Sequence, residues 1–260
     1  MENAHYFRDK LAAGKTLLGT CITFMDPTVT ESLSRVLDFV WIDTEHNPLS
    51  LERVQGHLMA TKGSQTTPLV RVPANDPVLI KPVLDIGAAG VIVPLVKTAD
   101  DVRLAVAACR YPPEGIRGFG PRRPSNYGAL GGPEYCNAAN QAIITIVQIE
   151  QHEALENIDA ILAVPGLTSI VVGPNDLAAS LGHTGQPRHP AVIRAIDTII
   201  ARARAAKVPM GIAVGDDPQV LAEWADKGVN WMSIAADFAL LVNATSRLVQ
   251  QVCDSQKHPT

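Results

Sequence analysis

Ala142-Ile-Ile-Thr-Ile-Val-Gln-Ile149 runs into Glu150, and Thr168-Ser-Ile-Val-Val172 runs into Gly173-Pro174-Asn175-Asp176. Both runs are short and rich in β-branched residues, and neither alternates strictly between apolar and polar positions. That is the pattern of a strand buried on both faces of a parallel sheet. A carboxylate just past such a run stands at the carboxyl edge of the sheet, where α/β proteins build their sites.

Outward from these two runs the same unit repeats along the chain: a short apolar run, a polar turn, then a longer amphipathic stretch. The strand-like runs cover residues 17–24, 39–42, 68–72, 91–96, 142–149, 167–172, 209–214 and 229–234. Helical stretches lie between them at 27–37, 51–62, 77–86, 100–110, 153–164, 190–207 and 218–227, and 238–252 closes the series. Asp26-Pro27, Asp76-Pro77 and Asp217-Pro218 each place a capping side chain before a proline, the chemistry of a helix start. Eight strand–helix units predict a (β/α)8 TIM barrel, a single domain over 1–260, with a doubly wound open sheet as the competing arrangement. One segment, 111–133, is rich in Pro, Gly and Arg and too long for an ordinary connection; it is expected to cover the pocket or to serve a subunit contact.

Composition narrows the function classes. The 260 residues are 47% hydrophobic and 18% charged, which suits a globular core, and the net charge of −4 offers no basic footprint for nucleic acid or a membrane surface. The expected partner is a small molecule. Cys21, Cys109, Cys136 and Cys253 show no Cys-x-x-Cys spacing, charged residues at 8–10 interrupt any leader-like apolar run, and the longest uncharged apolar run, 86–96, is too short to cross a bilayer. A cytoplasmic protein with reduced thiols is expected.

Polar residues gather at the ends of the runs: Asp43, Thr44, Glu45 and His46 after the second, Arg71 at the third, Lys97 after the fourth, Gln148 and Glu150 at the fifth, Asn175 and Asp176 after the sixth. Glu150 or Asp176 alone reads equally well as a helix cap. Together they read as ligands of a hard, oxygen-preferring ion such as Mg2+ or Mn2+, because no thiolates or paired histidines stand nearby. A 2-oxo acid would complete the sphere through its carboxylate and keto oxygens, and backbone N–H groups around Gly173, Asn175 and Asp176 would receive the carboxylate. His46 is the candidate general base, with Asp43 three residues earlier to orient its ring; the plain alternative is a solvated loop histidine. Arg71 offers fixed positive charge to a developing oxyanion, or else forms a salt bridge with Glu45.

Trp41-Ile-Asp-Thr-Glu-His46, Val70-Arg-Val-Pro-Ala-Asn-Asp-Pro77, Tyr111-Pro-Pro-Glu-Gly-Ile-Arg-Gly118, Val147-Gln-Ile-Glu150 and Gly173-Pro-Asn-Asp-Leu177 resemble the metal-dependent class II pyruvate aldolases of the HpcH/HpaI family, and the resemblance covers nearly the whole chain. It implies a lyase that reversibly cleaves a 4-hydroxy-2-oxo acid to pyruvate and an aldehyde through a metal-bound enolate, with Mg2+, Mn2+ or Co2+ as cofactor. The nearest activities are those of 4-hydroxy-2-oxoheptanedioate and 2-dehydro-3-deoxy-sugar-acid aldolases. By the same resemblance His46 is the base with Asp43 as its partner, Arg71 polarises the carbonyl, Glu150 and Asp176 hold the metal, and Gln148, Gly173 and Asn175 line the pyruvate end. The family also implies a hexamer built as a trimer of dimers that exchange the helix at 238–252, with Asp85 reaching the site of a neighbouring subunit. Thr44 and Asn175 stand where the family often has Gly or Ala, and Ala213 where it often carries a bulkier aliphatic residue, which predicts a different aldehyde pocket. Two rival readings are a class I aldolase forming a Schiff base on Lys97 and a barrel that binds a keto acid without turnover.

Overall fold

Phe39-Val-Trp-Ile-Asp43 is buried at every position, as are Thr67-Pro-Leu-Val-Arg71 and Ile144-Thr-Ile-Val-Gln-Ile149, and as interior strands these segments pair their backbone groups with neighbours on both sides. The computed structural model describes residues 3–257. Its strands are β1 (Leu17–Ile22), β2 (Phe39–Asp43), β3 (Thr67–Arg71), β4 (Gly90–Val93), β5 (Ile144–Ile149), β6 (Ser169–Val172), β7 (Met210–Val214) and β8 (Trp231–Ala236). Each pairs in parallel with the next, and β8 pairs with β1 to close the barrel, which removes the open sheet from consideration.

Helices separate the strands: α1 (Ala4–Ala12), α2 (Pro27–Leu33), α3 (Leu51–Ala60), α4 (Pro77–Asp85), α5 (Ala99–Cys109), α6 (Gly132–Ala142), α7 (His152–Glu156), α8 (Ile158–Leu162), α9 (Pro174–Ser180), α10 (Pro190–Ala206), α11 (Pro218–Asp226) and α12 (Asp237–Lys257). The three Asp-Pro starts behave as read from sequence: Asp26, Asp76 and Asp217 accept hydrogen bonds from Thr28, Val78 and Gln219 N–H. Other boundaries move. The expected strand at 91–96 stops at Val93, and Leu95 turns into the left-handed region at φ 57°. The expected helix at 153–164 breaks at Asn157 into α7 and α8. Helices α1 and α6 were not expected; the first precedes the barrel and the second begins at the end of the irregular segment, whereas α9, a helix of 7 residues after Gly173, matches the helix start read at Asp176.

Period-two alternation divides the core. Val40, Ile42, Val70, Val147 and Ile170 face outward against helix residues such as Ile80, Leu84, Val102 and Ile196. Phe39, Leu69, Ile92, Ile146, Val171 and Trp231 face inward, and Phe7 of α1 packs against them from below. Phe39 and Trp231 meet edge to face at 5.3 Å, and Trp231 Nε1 donates to Ser169 Oγ at 2.8 Å. Gly211 makes room for this indole: a Cβ there would stand 2.1 Å from Trp231 Cε2. The amino-terminal end is thus filled, and the open volume lies at the carboxyl end.

The irregular segment lies away from that volume. Arg117 is ion-paired to Asp85 at 2.7 Å and stacks on Tyr111, while Arg123, Asn126 and Tyr127 line a separate cavity beside Pro68 and Ala89 at the strand starts. None of its residues lines the cavity at the carboxyl ends, so within one chain it does not cover the pocket.

Candidate active site

The strand ends converge on a cavity of about 830 Å³ at the carboxyl mouth of the barrel. At the end of β2 and β3, Asp43 and Arg71 pair in register, and Arg71 Nε donates to Asp43 Oδ1 at 2.8 Å. Arg71 Nη1 lies 2.9 Å from Glu45 Oε2, and the guanidinium sits over the Trp41 ring at 5.2 Å. Both the hydroxyl and the N–H of Thr44 donate to the Arg71 carbonyl, at 2.6 and 3.1 Å, which pins the end of β3. Burial works against the charge on Arg71, but Asp43 and Glu45 outweigh it and hold the guanidinium protonated more firmly than in water. Burial likewise pushes the Asp43 carboxyl up, yet Arg71, the Glu45 N–H and Asn47 together bring it below the ordinary range.

The expected pairing of Asp43 with His46 is not what the contacts show. Asp43 Oδ1 is taken by Arg71 and by Glu45 N–H at 3.0 Å, and Oδ2 accepts from Asn47 Nδ2 at 2.6 Å. The acid paired with His46 is instead Glu45, 3.8 Å from Nε2. His46 lines the cavity from an exposed loop position.

The second convergence is at β5 and β6. Glu150 is 2% exposed; its Oε1 accepts from the Leu95 N–H at 2.8 Å, and its Oε2 accepts from Gln148 Nε2. The left-handed backbone of Leu95 aims that N–H inward, a conformation that costs a non-glycine residue energy and that recurs at functional sites. Gly173 shows how closely the acids approach: a Cβ there would lie 3.2 Å from Glu150 Oε2 and 3.6 Å from Asp176 Oδ2. Two carboxylates therefore flank one Cα from the same side. Burial pushes the Glu150 carboxyl up, the Leu95 N–H opposes this, and the negative charges of Asp176 and Glu45 add to the rise. Gln148 Oε1 is buried without a partner. Gly173 supplies no side chain to cap α9, so the helix start with Asn175 and Asp176 opens onto the cavity.

Ala213 of β7 also lines this space. Cys21, Ser233 and Ala235 line it too and were not singled out from sequence; they lie inside strands, without the strand-end position that marked the others. Glu45 was read only as a salt-bridge partner of Arg71, which it is. Two expected residues lie elsewhere. Lys97 is half exposed and ion-paired to Glu153 at 3.2 Å, outside the cavity lining. Asp85 ends α4 and faces Arg117, so it does not reach the site of its own chain.

A closed (β/α)8 barrel whose carboxyl mouth gathers a clamped arginine, a histidine and converging carboxylates defines an enzyme of the barrel class, with the site where such enzymes carry it. Residues 25–244 match the family model for HpcH/HpaI aldolase/citrate lyase, and the chain belongs to that family. It is 40% identical to the 5-keto-4-deoxy-D-glucarate aldolase of Citrobacter koseri over 246 residues, covering 93% of this chain and 94% of that one. Among solved structures, an HpcH/HpaI aldolase/citrate lyase family protein from Burkholderia cenocepacia J2315 superposes with a TM-score of 0.90 at 32% identity, covering 96% of this chain and 99% of that one. The HpcH/HpaI aldolase of Desulfitobacterium hafniense DCB-2 gives a TM-score of 0.86 at 30% identity, covering 94% and 95%. The enzyme class that follows is aldolase.

Proposed function

We propose that the protein cleaves 4-hydroxy-2-oxo acids of the sugar-acid type into pyruvate, or a close analogue, and an aldehyde, and that it needs a divalent cation. The convergence of Glu150 and Asp176 on Gly173 carries this reading. The negative charge of Asp176 adds to the cost of ionising the buried Glu150, and a cation between them would remove that cost. The donor set fits a hard ion, because Glu150 and Asp176 offer only carboxylate oxygens, and two such ligands leave coordination positions for solvent and substrate oxygens. When bound, such an ion would supply Lewis-acid stabilisation of the negative charge that develops on the keto oxygen.

The chain's own groups do the rest. Arg71, held between Asp43 and Glu45, presents a fixed positive charge to the oxygen that becomes negative. His46 takes the proton of the C4 hydroxyl as the C3–C4 bond breaks, and a proton returned to C3 completes pyruvate. Gln148, Gly173 and Asn175 orient the donor acid, and Ala213 borders the acceptor end. Lys97 is poorly placed as a Schiff-base amine, since a reactive lysine needs a desolvated pocket and this one is ion-paired in solvent.

The sugar-acid assignment follows the relative named for 5-keto-4-deoxy-D-glucarate, whose chemistry is that of a 4-hydroxy-2-oxo acid. Assembly is part of the reading. Helix α12 leaves the barrel with Phe238, Leu241, Val242, Leu248, Val249 and Val252 exposed, which suits its exchange with a neighbour in a hexamer, and Asp85 would then serve an adjacent site. The described free cysteines and the want of any helix long and apolar enough to cross a membrane among the described residues agree with a cytoplasmic enzyme. The test is a screen for pyruvate release from 4-hydroxy-2-oxo acids before and after chelation. Loss on chelation and recovery with Mg2+, Mn2+ or Co2+ supports the reading; full activity of metal-stripped protein overturns the cation requirement, and no release from any such acid overturns the aldol reaction.

A further inference from the structure

The cavity at the carboxyl mouth, about 830 Å³, is far larger than a three-carbon acid needs; pockets of this size hold drug-sized molecules. Its inner half carries Arg71, Gln148 and Asp176. Past Ala213 the lining continues onto α10 and α11, where Ile193, Val220 and Trp224 form an apolar wall and Arg188, Glu223 and Lys227 supply charge. Lys227 is already committed, with its ammonium 2.6 Å from Asp197 and over the Trp224 ring at 5.0 Å. Asp217 on the same rim accepts from the Gln219 and Val220 N–H groups as the cap of α11. Arg188 is different. Its one ion pair among the described residues, with Glu223 at 3.5 Å, joins side chains 71% and 62% exposed, and such pairs hold weakly.

The backbone that carries Arg188 is fixed although its side chain is weakly held. The connection from α9 to α10 is closed by the His183 N–H donating to the Ala178 carbonyl at 2.7 Å, and by the Gln186 and His189 N–H groups donating to the His183 and Gln186 carbonyls, both at 2.9 Å. The rings of His183 and His189 stack with centroids 3.6 Å apart, and His189 Nδ1 accepts from the Ala191 N–H at the start of α10. A guanidinium on such a loop stays at the cavity rim while most of its donors remain available. Those donors lie in a planar fork that matches a carboxylate, which takes two of them side by side.

We propose, on the aldolase reading above, that Arg188 is a specificity-determining residue: it receives a second carboxylate at the far end of the substrate, so that the preferred substrates are 2-oxo diacids and the released aldehyde is itself an acid. The lining is ordered for such a molecule. Arg71 and Gln148 face the donor acid at one end, Ala213, Val220 and Trp224 border the carbon chain, and a cation stands at the other. Glu223 sharpens the choice. Without ligand it neutralises the guanidinium, and a ligand carboxylate exchanges for it at little cost because both groups are exposed. A neutral chain end offers Arg188 nothing and gains nothing from it, so discrimination rests on the terminal charge.

The test uses acids that lack a C4 hydroxyl and therefore bind without aldol cleavage. 2-Oxoadipate and 2-oxopimelate carry the far carboxylate; 2-oxohexanoate and 2-oxoheptanoate have the same lengths and end in a methyl group. Titration calorimetry on the whole protein with Mg2+ present is expected to show a diacid bound about three- to tenfold more tightly than its monoacid partner, at one or both lengths. Arg188→Gln should bring that ratio to within about twofold of unity, and Glu223→Gln, which removes the competing carboxylate, should tighten the diacid about two- to fivefold. Equal binding of diacids and monoacids by the wild type overturns the proposal, as does a ratio that survives in Arg188→Gln or a diacid bound more weakly by Glu223→Gln. These readouts need no turnover, which separates the two failures. Discrimination in a protein that releases no pyruvate would sink the aldolase reading and leave Arg188 as the carboxylate receptor, whereas pyruvate release without discrimination would sink only the role of Arg188. No binding of any of the four acids would remove both.

Discussion

Arg71 is clamped from two sides, and each side has its own consequence. Asp43 is 2% exposed on its side chain and Arg71 10%, so removing one member leaves the other buried and uncompensated. Asp43→Ala is expected to cost about 3–5 kcal/mol of stability in urea unfolding at neutral pH. The carboxyl of Asp43 is held below its ordinary range, so the stabilisation is present above the unfolded value and is lost as pH falls through the folded one. The gap between wild type and variant should therefore narrow below about pH 3.9, and a gap constant down to pH 2 would show that charge is not its source. On the chemistry, His46→Ala should lose roughly 10²–10⁴ in kcat, the range for a general base. Arg71→Ala should lose at least as much and also damage oxaloacetate decarboxylation, while Lys97→Ala should keep both reactions. A Lys97→Ala protein as inactive as the Arg71→Ala one would restore the Schiff-base alternative.

Among the elements, the turn from β6 into α9 is the most demanding. Gly173 has φ −96°, which any residue adopts, so its requirement is spatial and not conformational. A methyl group there would stand 3.0 Å from Gln148 Nε2 and 3.2 Å from Glu150 Oε2. Gly173→Ala should fold normally but bind Mn2+ at least about tenfold more weakly by calorimetry, equivalent to ~1.4 kcal/mol; unchanged affinity would move the cation away from this turn. Strand β7 offers the opposite case. Ala213 borders the cavity with little bulk, and Ala213→Leu should change the ratio of kcat/KM for a branched and a short aldehyde by roughly 10–200-fold. The metal requirement and oxaloacetate decarboxylation should be nearly unaffected, and an unchanged ratio would remove Ala213 from the acceptor wall.

At the scale of the whole molecule, the barrel is complete without α12. That helix spans 21 residues and packs on β8 and β1; Asn243 and Arg247 tether it to Asp216, and apolar residues along it remain exposed. An isolated helix with such a surface is not stable in water without a partner. Sedimentation should report a particle several times the 27.8 kDa of one chain, and Leu241→Asp combined with Val249→Asp should shift it to smaller species. A wild-type monomer at micromolar concentration would rule out the exchanged-helix assembly.

The barrel was legible because β2 to β6 are buried at every position, and unbroken runs such as Phe39–Asp43 and Ile144–Ile149, repeated between amphipathic stretches, are the pattern of a covered parallel sheet. The same geometry put Arg71, Glu150 and Asp176 at strand ends, where a linear reading could find them. Helices α1 and α6 escaped it because the first precedes the repeating pattern and the second begins inside a segment dominated by Pro and Gly. Sequence spacing also suggested Asp43 as the partner of His46, three residues away. Only the pairing of β2 with β3 decided otherwise: the register that sets Asp43 opposite Arg71 turns the carboxylate to the guanidinium and leaves Glu45 facing the imidazole. Residue types and periodicity are local and survive in one dimension. Which charges meet is set by strand register and by burial, which exist only once the barrel has closed.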